Sequence, residues 1–261
     1  MTSSKDIRAK LRRREPSIGT WLQLPCPDVA EIIARMGYEW AVVDMEHSSF
    51  TKAILPDMFR ALERWGTLPF VRVAEAAMQE IRGALDSGAH GLIFPMIESR
   101  EQLDKAIAWS LYPGGKDFEG GRRGVGFCRA NAFGLDFGKH VAPGEGLGHD
   151  VVLVAQIEHI DALANLGTIF AHPRLDACLV GPYDLSASMG LTGRFDHPDV
   201  VGALAFIELK ARELGVPLGC LVAKPDEKAL HAKIAEGYCF LAYGTDAVFL
   251  QHCGRPPLPR K

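Results

Sequence analysis

Short apolar runs rich in Val, Ile, Leu and Phe recur along the chain at residues 18–24, 40–46, 68–73, 91–97, 151–158, 177–184, 217–222 and 239–245. Each is nearly continuous in its apolarity, which is the pattern of a strand buried on both faces. Between them, apolar residues return at helical spacing over 28–36, 54–65, 78–86, 101–110, 200–214 and 226–235. Several of these segments end in glycine, as in Met36-Gly37, Trp65-Gly66, Ser87-Gly88, Leu214-Gly215 and Glu236-Gly237. Glycine is the residue expected where a helix stops and the chain turns back. Alternating strands and helices predict a parallel sheet, and eight such units predict an α/β fold of the (β/α)8 TIM-barrel type, with residues 1–261 forming one domain. A doubly wound open sheet would carry a glycine-rich phosphate loop after its first strand, and Leu24-Pro25-Cys26-Pro27-Asp28 is nothing like one. Residues 111–150 break the rhythm: they are glycine-rich, show no clear strand, and read as a functional loop insertion.

Composition narrows the partners. A formal net charge of −3 over 261 residues offers no broad cationic field, which argues against nucleic acid. No apolar run approaches the ~20 residues that span a bilayer. The basic stretch Arg8, Lys10, Arg12, Arg13 and Arg14 has no apolar core behind it and is interrupted by Glu15-Pro16. It is therefore expected as the solvated face of a helix, not an export or transit signal, and the chain is expected in the cytoplasm. The six cysteines form no close pair and no C-x-x-C, so neither a disulfide framework nor a structural zinc site is expected. Cys178, Cys220 and Cys239 sit in apolar runs and read as small buried hydrophobes.

In such a barrel the chemistry gathers where the strands end. The second run ends in Asp44-Met45-Glu46-His47, the third carries Arg72, the fifth ends Gln156-Ile157-Glu158 and the sixth Gly181-Pro182-Tyr183-Asp184. Four strands thus bring ionisable groups to one mouth. Glu158 and Asp184, from neighbouring strands, form a hard oxygen donor set suited to Mg²⁺ or Mn²⁺. The bland alternative is that each acid caps a helix or pairs with a surface base. His47 is the natural proton-transfer group, because the imidazole is the side chain whose reference pKa lies near working pH, and Asp44 and Glu46 are at hand to orient it. Arg72 in an apolar strand needs an anion, which is either a structural partner such as Asp44 or a bound carboxylate or enolate. These residues point to a metal-assisted reaction on a small oxygen-rich acid; enolisation, carbon–carbon cleavage and hydrolysis remain open.

At these residues the chain resembles the HpcH/HpaI family of metal-dependent (class II) pyruvate aldolases, barrels of the phosphoenolpyruvate/pyruvate-domain type. The resemblance rests on Asp44-Met45-Glu46-His47, Arg72, Arg123-Gly124-Val125-Gly126, Gln156-Ile157-Glu158 and the run from Gly181-Pro182-Tyr183-Asp184 to Gly190. It implies reversible cleavage of a 4-hydroxy-2-oxo acid to pyruvate (or hydroxypyruvate) and an aldehyde. It also implies Glu158 and Asp184 as ligands of a divalent cation, Mg²⁺ or Mn²⁺ with Co²⁺ as a further option, and no organic cofactor. Gln156, Gly181, Tyr183 and Asp184 would surround the pyruvate moiety, with Arg123 as a further substrate-binding residue. His47 would be the base, Asp44 a catalytic companion and Arg72 the stabiliser of the enolate. Asp86 matches the position that raises the basicity of the histidine; at a helix end it belongs to the opposite face of its own barrel, so either it acts across a subunit interface or it is simply a polar residue at a helix terminus. The resemblance is to a family of hexamers with exchanged C-terminal helices. A citrate-lyase-like acyl-CoA lyase, a non-catalytic oxo-acid-binding barrel and a Schiff-base enzyme using Lys224 are the competing readings. The insert at 116–119, Tyr183, Lys224 and residues 143–148 depart from the family pattern around the mouth, which leaves the acceptor aldehyde open. His140, His149 and His159 form no ligand spacing and are not expected to hold a second metal.

Overall fold

The computed structural model describes residues 2–115, 118–142 and 146–254. All eight apolar runs form parallel strands: β1 Ser17–Leu22, β2 Trp40–Asp44, β3 Leu68–Arg72, β4 Gly91–Phe94, β5 Val152–Ile157, β6 Ala177–Val180, β7 Leu218–Val222 and β8 Tyr238–Thr245. They pair in sequence order and β8 returns to β1, closing the barrel. The helices are α1 Ser4–Arg12, α2 Pro27–Ala34, α3 Leu55–Glu63, α4 Met78–Ser87, α5 Arg100–Ser110, α6 Phe137–Val141, α7 Leu166–Phe170, α8 Pro182–Ser188, α9 Pro198–Glu213, α10 Glu227–Ala235 and α11 Asp246–Cys253. Among the described residues none is long and apolar enough to cross a membrane.

Several strands stop earlier than their apolar runs, and in β2 and β6 the local reason is plain. After β2 the carboxylate of Asp44 accepts the N–H groups of Glu46 and His47 at 3.1 and 3.2 Å, turning the chain out of the sheet. After β6, Pro182 sits in the first turn of α8, where its missing N–H costs nothing. Both turns put polar residues at the same end of the barrel. Gly88, which caps α4 at φ +105°, shows why glycine ends these helices: a side chain there would be strained and would strike the Arg129 guanidinium.

Inside the barrel Trp40 stacks on Phe240 (ring centroids 4.3 Å) and Phe70 (5.5 Å). Gly19 and Gly91 leave room for this stack, since a Cβ at either would collide with Trp40 or Phe70. The barrel is therefore plugged with aromatic side chains, and its polar groups are confined to the strand ends. At the other end α1 buries Ile7 and Leu11. The basic run is thus only partly a solvated face: Arg8 binds Asp176 at 2.9 Å and Arg14 donates to the carbonyl of Val216. The 111–150 stretch contains α6 and two 3-10 turns, Arg129–Gly134 and Leu147–His149, and no strand among its described residues. Lys116, Asp117 and residues 143–145 lie outside the described residues. The described cysteines are unpaired, and burial pushes the Cys178 and Cys220 thiols up to about 12.

Two histidines carry a pH prediction. His172 is buried, its Nδ1 accepts the Arg174 N–H at 3.0 Å, and burial together with Arg100 lowers its pKa to about 4. His140 is lowered to about 4 by burial and Arg123. In the unfolded chain both titrate near 6.5, so the unfolded state binds more protons between the two values and stability falls as pH drops through that window. Going from pH 7 to 5 each histidine is expected to remove about 2 kcal/mol. Denaturant melts at the two pH values check this: His172→Asn, whose amide oxygen can take the Arg174 N–H, should flatten its share of the slope, and an unchanged slope would refute it.

Candidate active site

The mouth is built on the β2–β3 register, in which Asp44 and Arg72 lie opposite one another at the strand ends. Arg72 Nε donates to Asp44 Oδ1 at 2.9 Å and Nη2 to Oδ2 at 2.6 Å, a bidentate pair with Asp44 fully buried. Burial alone would push the Asp44 carboxyl up, but the Arg72 hydrogen bonds and charge hold it below its usual value. The guanidinium also lies over the Trp21 ring, 5.1 Å from its centroid. Arg72 Nη1 stands 3.1 Å from Glu46 Oε2 without hydrogen-bond geometry. Burial, with Glu158 adding to it, raises Glu46 to about 7 against the pull of Arg72. Arg72 has five N–H donors and these acids engage three at most, so donors remain for a bound anion. His47 is exposed at the rim, its Nε2 4.0 Å from Glu46 Oε2.

Glu158 immediately follows β5 and is buried. Its Oε1 accepts the Met96 N–H at 2.8 Å and its Oε2 a hydrogen bond from Gln156 Nε2. Met96 reaches it from a left-handed backbone, φ +52°. Burial raises the Glu158 pKa against these bonds, and the neighbouring charge of Asp184 raises it further. Gly181 makes the space: a Cβ there would collide with the Glu158 carboxylate. Gln156 is buried, and its Oε1 has no hydrogen-bond partner. An orphaned amide oxygen beside two mutually repelling carboxylates is a fit for a hard divalent cation with its oxygen-rich ligand.

His47, Arg72, Asp44, Gln156, Gly181, Tyr183, Asp184 and Glu158 are thus brought to one mouth. Arg123 and Asp86 are not. They bind each other at 3.0 Å near the C-terminal end of α4, which leads into the start of β4. Arg123 also stacks on Tyr112, 4.6 Å from its ring centroid. Within one chain this pair belongs to the opposite end of the barrel, because a helix that follows a strand runs back to the start of the next. Lys224 lines a separate depression with Asp226, Gln251 and His252, and is not among the residues lining the cavity that holds Arg72 and Gln156.

Trp21 and the Met96 N–H were not singled out by the sequence, the first hidden in an apolar run and the second a main-chain group. Glu98, His159 and Asp161 form another group able to hold a cation. There His159 Nδ1 accepts the Asp161 N–H at 3.2 Å and caps a 3-10 turn, so its lone pair is already engaged.

The chain is similar to known aldolases and to a solved structure of their family. A hydroxypyruvate/pyruvate aldolase of Paraburkholderia phytofirmans is 30% identical, covering 98% of this chain and 97% of that one. A 2-keto-3-deoxy-L-rhamnonate aldolase of Escherichia coli is 31% identical over 94% of this chain and 88% of its own. The crystal structure of an HpcH/HpaI aldolase/citrate lyase family protein from Burkholderia cenocepacia superposes with a TM-score of 0.87 at 30% identity, covering 95% and 96% of the two chains. The sequence profile of the family matches residues 17–253, and the chain belongs to the HpcH/HpaI aldolase/citrate lyase family.

Proposed function

We propose that this barrel is a divalent-cation-dependent aldolase that joins pyruvate or hydroxypyruvate to an aldehyde and cleaves the product in reverse, acting on small molecules in the cytoplasm. The observation that carries the reading is the buried Arg72–Asp44 pair facing Gln156, whose buried oxygen lacks a partner, beside Glu158 and Asp184. Glu158 and Asp184 would hold the cation, Mg²⁺ or Mn²⁺ by their hard oxygen character. When bound, it supplies a Lewis acid that polarises the donor's keto group.

The side chains do the rest. Arg72, fixed by Asp44 and stacked on Trp21, keeps its remaining N–H donors aimed at the keto oxygen as negative charge develops there. Gln156 orients the donor's oxygens. His47 takes a proton from the methyl (or hydroxymethyl) carbon, and the electron pair moves into the carbon–carbon bond of the enolate as the carbonyl π pair moves to oxygen. That carbon then attacks the aldehyde carbonyl, whose π pair moves to its oxygen. The alkoxide takes up one proton, equivalent to the one His47 removed, so that His47 ends the cycle neutral. Lys224 lies outside this cavity, which favours enolate over Schiff-base chemistry. Asp86 and Arg123 would contribute to a neighbour's mouth in a homo-oligomer, with a hexamer as the form the family resemblance implies.

Pyruvate in deuterated buffer tests the reading without any acceptor. Methyl-proton exchange is expected with Mn²⁺, to vanish with EDTA, and to fall about 10²-fold or more in His47→Ala. Exchange that persists in EDTA would overturn it.

A further inference from the structure

We infer that the mouth opens into a side cleft that takes the apolar substituent of an extended aldehyde, so the acceptor is a long-chain or aromatic aldehyde and not a small anionic one. The inference rests on the aldolase reading and names the acceptor class for the same site. The cavity containing His47, Arg72, Gln156 and Asp184 has a volume of about 900 Å³. That is near the upper end for small-ligand pockets and far more than a three-carbon donor fills. Its excess lies on one side. The cavity passes over the C-terminal edge of β7, where Leu221 is 36% exposed, and runs down between α9 and α10.

The walls are apolar. Leu204 comes from α9, Ala229 and Ala232 from α10, and Cys220 and Val222 from the outward face of β7. Tyr183, 66% exposed and edge-on to Phe195 at 4.8 Å, forms an aromatic wall at the mouth. An anionic acceptor would need a free cation. Among the described residues lining the cavity the cations are Arg72, fixed by Asp44 with its spare donors given to the keto oxygen of the pyruvate half, and Lys233, paired with Glu236 at 2.6 Å and lying over Tyr238. Glu208 adds a negative charge at the far end, where Tyr238 donates to it at 2.6 Å. Apolar lining, paired cations and direct continuity with the catalytic groups select an uncharged, extended substituent.

The test uses pyruvate with Mn²⁺ and the acceptor series glycolaldehyde, butanal, octanal and phenylacetaldehyde, with succinic semialdehyde as the anionic comparison. The kcat/KM is expected to rise at least tenfold from glycolaldehyde to octanal, with the semialdehyde below butanal. Ala232 is exposed, so Ala232→Trp should fold, leave pyruvate methyl exchange unchanged, and erase the gain for octanal while sparing glycolaldehyde. A flat series, a preference for the semialdehyde, or a gain that survives Ala232→Trp overturns the inference while intact exchange preserves the aldolase reading. Absence of exchange in the unmodified protein overturns that reading, and this inference with it.

Discussion

Arg72→Ala is expected to lower kcat/KM by about 10²–10³-fold or more, and to destabilise the fold by about 3–5 kcal/mol. The activity loss follows from removing the cation whose spare N–H donors would face the keto oxygen in the proposed reaction. The stability loss follows from what is left behind. Asp44 is fully buried, and Arg72 supplies both of its charged hydrogen bonds. Without the guanidinium, the N–H groups of Glu46 and His47 and the Trp21 indole remain, and burial, the largest influence on the Asp44 carboxyl, drives its pKa up. The deficit should consequently shrink as pH falls and the orphaned carboxyl takes a proton, the opposite sign to the histidine-driven loss of the unmodified protein. Arg72→Ala combined with Asp44→Ala should recover much of the stability and none of the activity. Denaturant titrations at pH 7 and 5, with methyl exchange as the activity readout, check both halves. If the single variant is as stable as the parent, the pair contributes to chemistry alone.

The contrast between Arg72 and Arg123 shows how far the sequence could be read. The strands were legible because burial on both faces demands continuous apolarity, and the barrel then sends every strand end to one mouth. That topology is why His47, Arg72, Gln156, Glu158 and Asp184 could be grouped before any distance was known. Arg123 lies in the irregular 111–150 stretch, where no strand direction says which end of the barrel it reaches; it lies beside Asp86, not with Gln156. The helix-end position of Asp86 did carry that information. Met96 was invisible for another reason: its contribution is a main-chain N–H in a left-handed turn, and side-chain chemistry says nothing about it. The side cleft escaped too, because it depends on how far α9 and α10 stand apart, a tertiary property. The sequence did mark Tyr183 as unusual, and that residue stands at the opening of the cleft.

Gly181→Ala is expected to cost about 10²-fold or more in kcat/KM although it adds a single methyl group near the chemistry and removes no functional atom. The backbone at Gly181 has φ −102°, which alanine adopts without strain, so the effect is steric. An added Cβ would collide with the Glu158 carboxylate and stand 2.8 Å from the Glu158 Cβ and 3.3 Å from Gln156 Nε2. Glu158 cannot swing aside cheaply, because one oxygen is held by the Met96 N–H and the other by Gln156. Either the carboxylate breaks those bonds or β6 shifts, and both displace the groups that would hold the cation and the donor. Overpacking of this kind costs about 1–3 kcal/mol, which a closed barrel can absorb, so the variant should remain folded. Glu158→Gln separates charge from space: it keeps the packing and loses the anion. Weakened Mn²⁺ binding in both variants, measured by titration calorimetry, with exchange lost in parallel, is the expected result. Parent-like Mn²⁺ affinity in Gly181→Ala would mean that Glu158 is not the ligand, because the residue the methyl group displaces would then be one the cation does not use.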